Sequence, residues 1–306
     1  MSKFSLKASV VPVAVAMALA SMSTGAVAQS VLDRVVAEQK LVIGTRESQV
    51  PYAYVNSDGE YEGWAIDLNR ALHGLIEQKL DLEIELEFKP VTAQTRIPLV
   101  VNGSLDWVLG STGQTVAREE VVDFSLVNNA VCVKKLVAVD SGIETTQDLA
   151  GKRVGVNAGS VEERLITAMN ASGELNPPAQ LITSDKHSSG FVSLSQGKTD
   201  AHVTMDDALI GLMMRAPEPE RWAVRGPDIF CINQGIILPE NDSNWRDMVN
   251  QSMCYFIVTG GYDELYSEWF LGDSPKAGYV RVQSDPLRSL ISSQCPFGSE
   301  TFLDDT

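Results

Sequence analysis

Lys40-Leu41-Val42-Ile43-Gly44 is an apolar run of strand length that ends at a glycine, and Thr45-Arg46-Glu47 follows at once. Gly63 to Lys79 then places Ala65, Leu68, Leu72 and Leu75 at helical spacing. Leu82 to Phe88 alternates apolar and polar residues, as a half-buried strand does. Strand, helix, strand in that order is the repeating unit of an α/β fold. It predicts a mostly parallel sheet with helices on its faces.

The same pattern extends outward. Thr95 to Val101 predicts a second helix that stops at Asn102-Gly103, and Leu105 to Leu109 a strand that stops at Gly110-Ser111-Thr112-Gly113. A second set begins after Asp140. Gly151 to Val156 predicts a strand, and a helix runs from Asn157-Ala158-Gly159-Ser160 through Met169. Ala179 to Ile182 predicts a strand, Ser188 to Gln196 a helix, and Asp200 to Thr204 a strand ending at Met205-Asp206-Asp207. Ile229 to Leu238 is extended again, and Trp245 to Gly260 is helical. No low-complexity linker or short repeat interrupts the chain. Two α/β units joined by extended segments predict a cleft between them. Ligands of such sheets bind beyond the carboxyl ends of the strands, so the loops there are the place to search.

Charge excludes several functions. The 306 residues carry 24 Lys plus Arg against 40 Asp plus Glu, a net charge of −16. A nucleic-acid binder needs a basic face, and so does a protein that adheres to anionic lipid. The 44% hydrophobic and 21% charged composition is that of a globular chain with a sizeable core. At the start, Lys3 and Lys7 precede an apolar run from Ala8 to Ala20 and the small residues Ala26-Val27-Ala28. This is the three-part pattern of a secretory signal peptide over residues 1–28, and the run is short for a membrane span. Cleavage after Ala28 removes 28 of 306 residues and two lysines, leaving 278 residues at −18. A periplasmic location follows.

Cys132, Cys231, Cys254 and Cys295 match no zinc or thioredoxin spacing. In an oxidising compartment they suit one or two disulfides, with three pairings open, or buried free thiols. His73, His187 and His202 include no pair at metal-ligand spacing. Neither a nucleophile elbow nor a dinucleotide fingerprint is present.

The strand-end loops hold a coherent set. Arg46 follows the first strand, and Arg96 opens the second helix. Ser111 and Thr112 follow a strand, with Arg118 in the next turn; Ser160 opens a helix, and His187 and Asp206 stand at later loops. Hydroxyls and backbone N–H groups can grip a carboxylate, and arginine adds a bidentate fork. A helix N-terminus favours an anion, and Asp206 can accept from an ammonium group. Taken singly each has a plainer use: a solvated arginine, a Ser-Thr-Gly turn, an Asp-Asp helix cap. Together they supply more positive charge than one α-carboxylate needs, which implies a second carboxylate on the ligand. Long-range repulsion by an acidic protein is screened beyond about 8 Å. Selectivity must then be local, from Arg46, Arg96 and Arg118.

At these residues the chain resembles the family-3 periplasmic solute-binding proteins of amino-acid ABC importers, and within them the members for glutamate and aspartate. The resemblance is carried by Gly44-Thr45-Arg46-Glu47-Ser48, Gln94-Thr95-Arg96-Ile97-Pro98-Leu99, Gly110-Ser111-Thr112, Val116-Ala117-Arg118-Glu119, Lys186-His187 and Met205-Asp206-Asp207-Ala208-Leu209. It implies a two-lobed periplasmic-binding-protein fold of type II, each lobe a mixed sheet flanked by helices, with the ligand cleft at the hinge. Lobe one would span 31–127 plus 236–306 and lobe two 128–235. The chain would then cross the hinge near Cys132 and Cys231, which implies pairing those two and tying Cys254 to Cys295. Arg118 would bind the α-carboxylate beside Ser111 and Thr112, and Asp206 the α-ammonium. Arg46, Arg96 and His187 would select the acidic side chain, with Ser160 at the second-lobe helix. The implied partner is an inner-membrane ABC permease, and the protein a monomer without cofactor, metal, nucleic acid or catalysis. Ala93 and Gly113 depart from the pattern, since relatives carry hydroxyls there; this leaves glutamine or asparagine as alternative ligands. A dehydratase on the same scaffold is the other alternative, with Glu47, His187 or Asp206 as its acid.

Overall fold

The computed structural model describes residues 29–304. The predicted signal segment, residues 1–28, lies outside the described residues. In chain order the first elements are α1 (Val31–Glu38), β1 (Lys40–Thr45), β2 (Ser48–Gln49), β3 (Ala53–Val55), β4 (Tyr61–Glu62) and α2 (Trp64–Leu80). Next come β5 (Glu85–Pro90), α3 (Arg96–Val101), β6 (Trp107–Val108), α4 (Val116–Glu119) and β7 (Asp123–Phe124). The long strand β8 (Asn129–Ala138) leads to β9 (Arg153–Asn157), α5 (Val161–Ser172), β10 (Gln180–Ser184), α6 (His187–Ser195) and β11 (Ala201–Met205). The chain continues through α7 (Asp206–Met214), β12 (Trp222–Gln234), β13 (Ile237–Leu238), α8 (Ser243–Val258), α9 (Gly261–Phe270) and α10 (Asp285–Ser293). Among the described residues, no helix is long and apolar enough to cross a membrane.

Two five-stranded sheets organise these elements. The first has the order β5-β1-β6-β13-β7, and the second β10-β9-β11-β8-β12. Each is mixed, where the strand–helix alternation predicts mostly parallel pairing. β1 runs parallel to β5 and β6, but β13 enters antiparallel between β6 and β7. β9 runs parallel to β10 and β11, while β8 pairs antiparallel with β11 and β12. The antiparallel strands are those that carry the chain from one sheet to the other. Sheet one therefore draws strands from both sides of sheet two in sequence.

The amphipathic face of α2 buries Trp64, Leu68, Leu72 and Ile76. Gly63 before it has φ +138°, and a Cβ there would lie 2.1 Å from the Tyr52 carbonyl oxygen, so the entry to α2 requires glycine. α2 ends on left-handed Asp81, with Leu82 N–H returning to the Glu77 carbonyl. This cap consumes residues that read as strand, and β5 starts at Glu85. The core of sheet one gathers Trp64, Trp107, Trp245 and Trp269, with Trp107 and Trp245 stacked at 5.4 Å. A separate core under sheet two includes Val133, Val154, Val156, Ile166 and Val203.

Cys132 bonds Cys231, its register partner across β8 and β12. Cys254 on α8 bonds Cys295 after α10 and anchors the C-terminal segment.

Candidate functional site

Arg46, Arg96, Ser111, Arg118, Ser160 and His187 line one small pocket between the ends of the two sheets. The strand ends deliver them. Arg46 directly follows β1, and Ser111 stands three residues beyond β6. Arg96 and His187 are the first residues of α3 and α6, Arg118 lies in α4, and Ser160 is the N-cap of α5. The Ser160 oxygen accepts from the Glu163 N–H at 3.1 Å, which leaves its hydroxyl proton free to donate to a ligand.

All three guanidinium side chains are buried. Arg96 donates to the Ser111 carbonyl at 3.2 Å, and Arg118 to the Gly113 carbonyl at 2.7 Å. Arg46 Nη1 and Arg96 Nε have no hydrogen-bond partner among the described residues. Burial pulls Arg46 and Arg118 down to about 10 from the usual 12.5. Burial pulls Arg96 well below its usual value, and Arg118 and Arg46 add to the effect. Arginine stays charged at neutral pH, so these shifts measure how strongly the closed pocket disfavours its own cations. His187 is pushed well below 6.5 by burial, then by Arg46, His202 and Arg96. Its imidazole is therefore neutral at pH 7, and its Nδ1 has no hydrogen-bond partner among the described residues.

Two predicted site residues lie outside the pocket lining. Thr112 is fully buried, and its hydroxyl has no partner among the described residues. Asp206 opens α7, half-buried, and its Oδ1 accepts from the N–H of Cys132 at 3.4 Å and of Asp207 at 3.0 Å. Glu162, absent from the sequence-based set, lines the pocket and is 2% exposed. Its neighbour Glu163 is turned away, with its carboxylate accepting from the Gly159 N–H at 2.7 Å. A pair of acids in a first helical turn reads as ordinary dipole compensation, and nothing in the sequence separates the capping member from the pocket member.

Gln234, also missed, donates to the Ser111 hydroxyl at 2.6 Å and accepts from Asn129 at 3.1 Å. It sits where β12 ends and the chain re-enters sheet one, so it links the crossing strands to the pocket. Ala93 lines the pocket, and a missing hydroxyl there bears on the ligand. Gly113 lies outside the lining, and a Cβ at that position would meet Ile232 Cδ1 at 2.4 Å, so Ile232 would have to shift to admit a larger residue.

The cleft is shut. Ser111 contacts the Met205 sulfur across it, and Lys186 pairs with Glu47 at 2.6 Å. Gly159, at φ +73°, faces Gln94 so closely that a Cβ would lie 2.8 Å from Gln94 Cγ. Among the described residues, the single His/Cys/Asp/Glu group close enough for a metal is Cys132, Asp228 and Cys231. Both of its sulfurs are committed to the disulfide.

A two-sheet fold whose chain crosses twice between sheets, with a charged pocket shut between them, defines a solute-binding protein. Residues 41–272 match the family model of bacterial extracellular solute-binding proteins, family 3, and the chain belongs to that family. It is 32% identical over 259 residues to the L-glutamate/L-aspartate-binding protein of Pseudomonas aeruginosa, covering 83% of this chain and 84% of the relative. It is 28% identical over 250 residues to the glutamate/aspartate import solute-binding protein of Escherichia coli, with 81% and 82% covered. Among solved structures, it superposes at a TM-score of 0.67 on an ancestral amino acid-binding protein described as a precursor of cyclohexadienyl dehydratase. That pair is 26% identical, and 78% of this chain and 98% of the other are covered.

Proposed function

We propose that the protein captures an acidic L-amino acid, glutamate or aspartate, in the periplasm and presents it to the permease of an ABC importer. The supporting observation is the convergence of three buried guanidinium groups in one closed pocket. Three such groups exceed the need of a monocarboxylate, and a dicarboxylate relieves the mutual repulsion that burial enforces. The names of the relatives point the same way. In this reading Arg118 and Ser111 hold the α-carboxylate, with Thr112 buried outside the lining, Arg46, Arg96 and His187 hold the side-chain carboxylate, and Ser160 adds a donor from the α5 cap. Lobe one takes residues 31–127 and 236–306, lobe two takes 128–235, and the signal segment is removed after Ala28. The mature protein works as a monomer.

The protein binds and does not catalyse. A dehydratase needs an acid of raised pKa facing its substrate. Asp207 is pushed up to about 6 by burial and by Asp206, but it lies behind the pocket lining. Calorimetry of the mature chain tests the reading: glutamate and aspartate bind at micromolar concentration or tighter, while glutamine and asparagine bind more weakly. Absence of binding by both acids refutes it. Turnover of prephenate or arogenate refutes the non-catalytic assignment.

A further inference from the structure

We propose that Glu162 is a direct contact of the ligand's α-ammonium group. The inference rests on the acidic amino-acid reading above and assigns that site a residue which the resemblance does not. Glu162 is the second residue of α5, directly behind the Ser160 cap, and lines the pocket with the three arginines. It is the one carboxylate in the lining, and it is buried. It accepts a hydrogen bond from the Thr204 hydroxyl at 3.4 Å, a long contact, and among the described residues no ion pair holds it within 4 Å. Its charge is felt by Arg46, Arg96 and Arg118, but none of them is hydrogen-bonded to it, so the carboxylate has acceptor capacity in reserve.

Asp206 is differently placed. It lies outside the lining, and one of its oxygens already serves the backbone of Cys132 and Asp207. Its charge is felt instead by Asp207, Tyr266, Tyr279 and Arg281 behind the pocket. The ligand brings two carboxylates and one ammonium; the pocket brings three guanidinium groups, a neutral imidazole and one carboxylate. Pairing unlike charges sends the carboxylates to the arginines and the ammonium to Glu162. The competing role for Glu162 is that of an internal counter-ion, which balances the arginines in the empty pocket and never touches the ligand.

A ligand pair separates the two. Glutarate is glutamate without the ammonium group. The mature protein and its Glu162→Gln variant are titrated with both ligands by calorimetry. A lost charged hydrogen bond predicts that Glu162→Gln weakens L-glutamate by about 10- to 100-fold relative to glutarate. The ratio of the two dissociation constants collapses toward one. Glu162→Asp, which keeps the charge on a shorter stem, retains part of the ratio and shows that the loss is not one of folding. An internal counter-ion would move both ligands by the same factor. An unchanged ratio in Glu162→Gln overturns the proposal and leaves the acidic amino-acid reading standing. Asp206→Asn is expected to shift both ligands together; a ratio that collapses there and not in Glu162→Gln also overturns it. If the unaltered protein binds neither glutamate nor aspartate, the functional reading fails, and this assignment fails with it.

Discussion

Replacing Arg46 with methionine separates two jobs of one side chain: holding the ligand and keeping the empty cleft open. In the shut cleft, burial holds Arg46 at about 10 against an ordinary 12.5. At 1.36 kcal/mol per pH unit, that is about 3 kcal/mol against the charged side chain in this state. The guanidinium is charged throughout at pH 7, so the penalty appears as a force for opening, which returns the group to water. Methionine is of similar length and carries no charge to rehydrate, and the Arg46 Nη1 has no hydrogen-bond partner among the described residues to lose. Arg46→Met should therefore shift the empty protein toward the closed form by about 3 kcal/mol, roughly a hundredfold in the open-to-closed ratio. It should also lose a charge-assisted contact to the ligand, worth about 2–5 kcal/mol. The two effects oppose each other in the dissociation constant, so affinity for glutamate falls by less than the contact alone implies. Small-angle scattering, or energy transfer between dyes on the two lobes, reads the first effect without ligand; calorimetry reads the second. A variant that stays as open as the parent refutes the account of the arginine cluster as the opening force. A variant that keeps both the glutamate affinity and the openness of the parent removes Arg46 from the site.

Three further outcomes follow from other parts of the cleft. Gly159→Ala places a Cβ against Gln94 at a left-handed φ, so it should weaken ligand binding about tenfold or more by obstructing closure, and lower stability to denaturant by about 1–2 kcal/mol; unchanged affinity in calorimetry would show that the lobes close differently. Lys186→Ala removes an exposed cross-cleft pair, worth about 0–1 kcal/mol; affinity should change less than about fivefold, and the difference should vanish at high salt. His202 is completely buried, and burial lowers it to about 4 from 6.5. Between those values the unfolded chain binds a proton that the folded one does not, so this group's stability is intact above pH 6.5 and is lost as pH falls toward 4. Urea unfolding should show the parent losing about 2–3 kcal/mol more than His202→Gln between pH 7 and pH 4.5; equal losses would contradict the buried neutral imidazole.

The strongly periodic elements were legible in sequence, and those set by pairing were not. α2 announces itself through Ala65, Leu68 and Leu72, because one helical face meets the core, although Ile76 rather than Leu75 completes that buried face. β8 is the longest strand of sheet two after β12, yet its run from Asn129 to Ala138 contains Cys132, Lys134 and Lys135. Its pairing with β11 and β12, rather than its own composition, makes it a strand. The return of β13 between β6 and β7 rests on two residues, too few for any periodic signal. In the pocket, arginines beyond strand ends could be found because the rule for α/β sheets says where to look. Glu162 could not, since a first-turn acid is ordinary at any exposed helix start, and its meaning comes from the direction in which α5 points.

The division of the pocket between the sheets explains how binding becomes motion. Arg46, Arg96, Ser111 and Arg118 belong to elements of sheet one, and Ser160, Glu162 and His187 to elements of sheet two. On the proposed reading, an open cleft offers a ligand one set, and closure brings the other. A ligand stabilises the closed form by the contacts it gains on closing and no more. On the proposed reading, closing around an acidic amino acid would add the Ser160 hydroxyl, the neutral His187 and the Glu162 carboxylate, and would drain water from around three guanidinium groups that gain anionic partners. For a neutral amino acid, the same closure buries an arginine with nothing to balance it. That ligand must work against the same opening force of about 3 kcal/mol that Arg46 exerts in the empty cleft. Selectivity and closure thus share one origin. An uncharged residue at position 46 should make the protein both easier to close and less particular about the ligand's side chain, and titration of Arg46→Met with glutamine would show a gain in affinity where glutamate shows a loss.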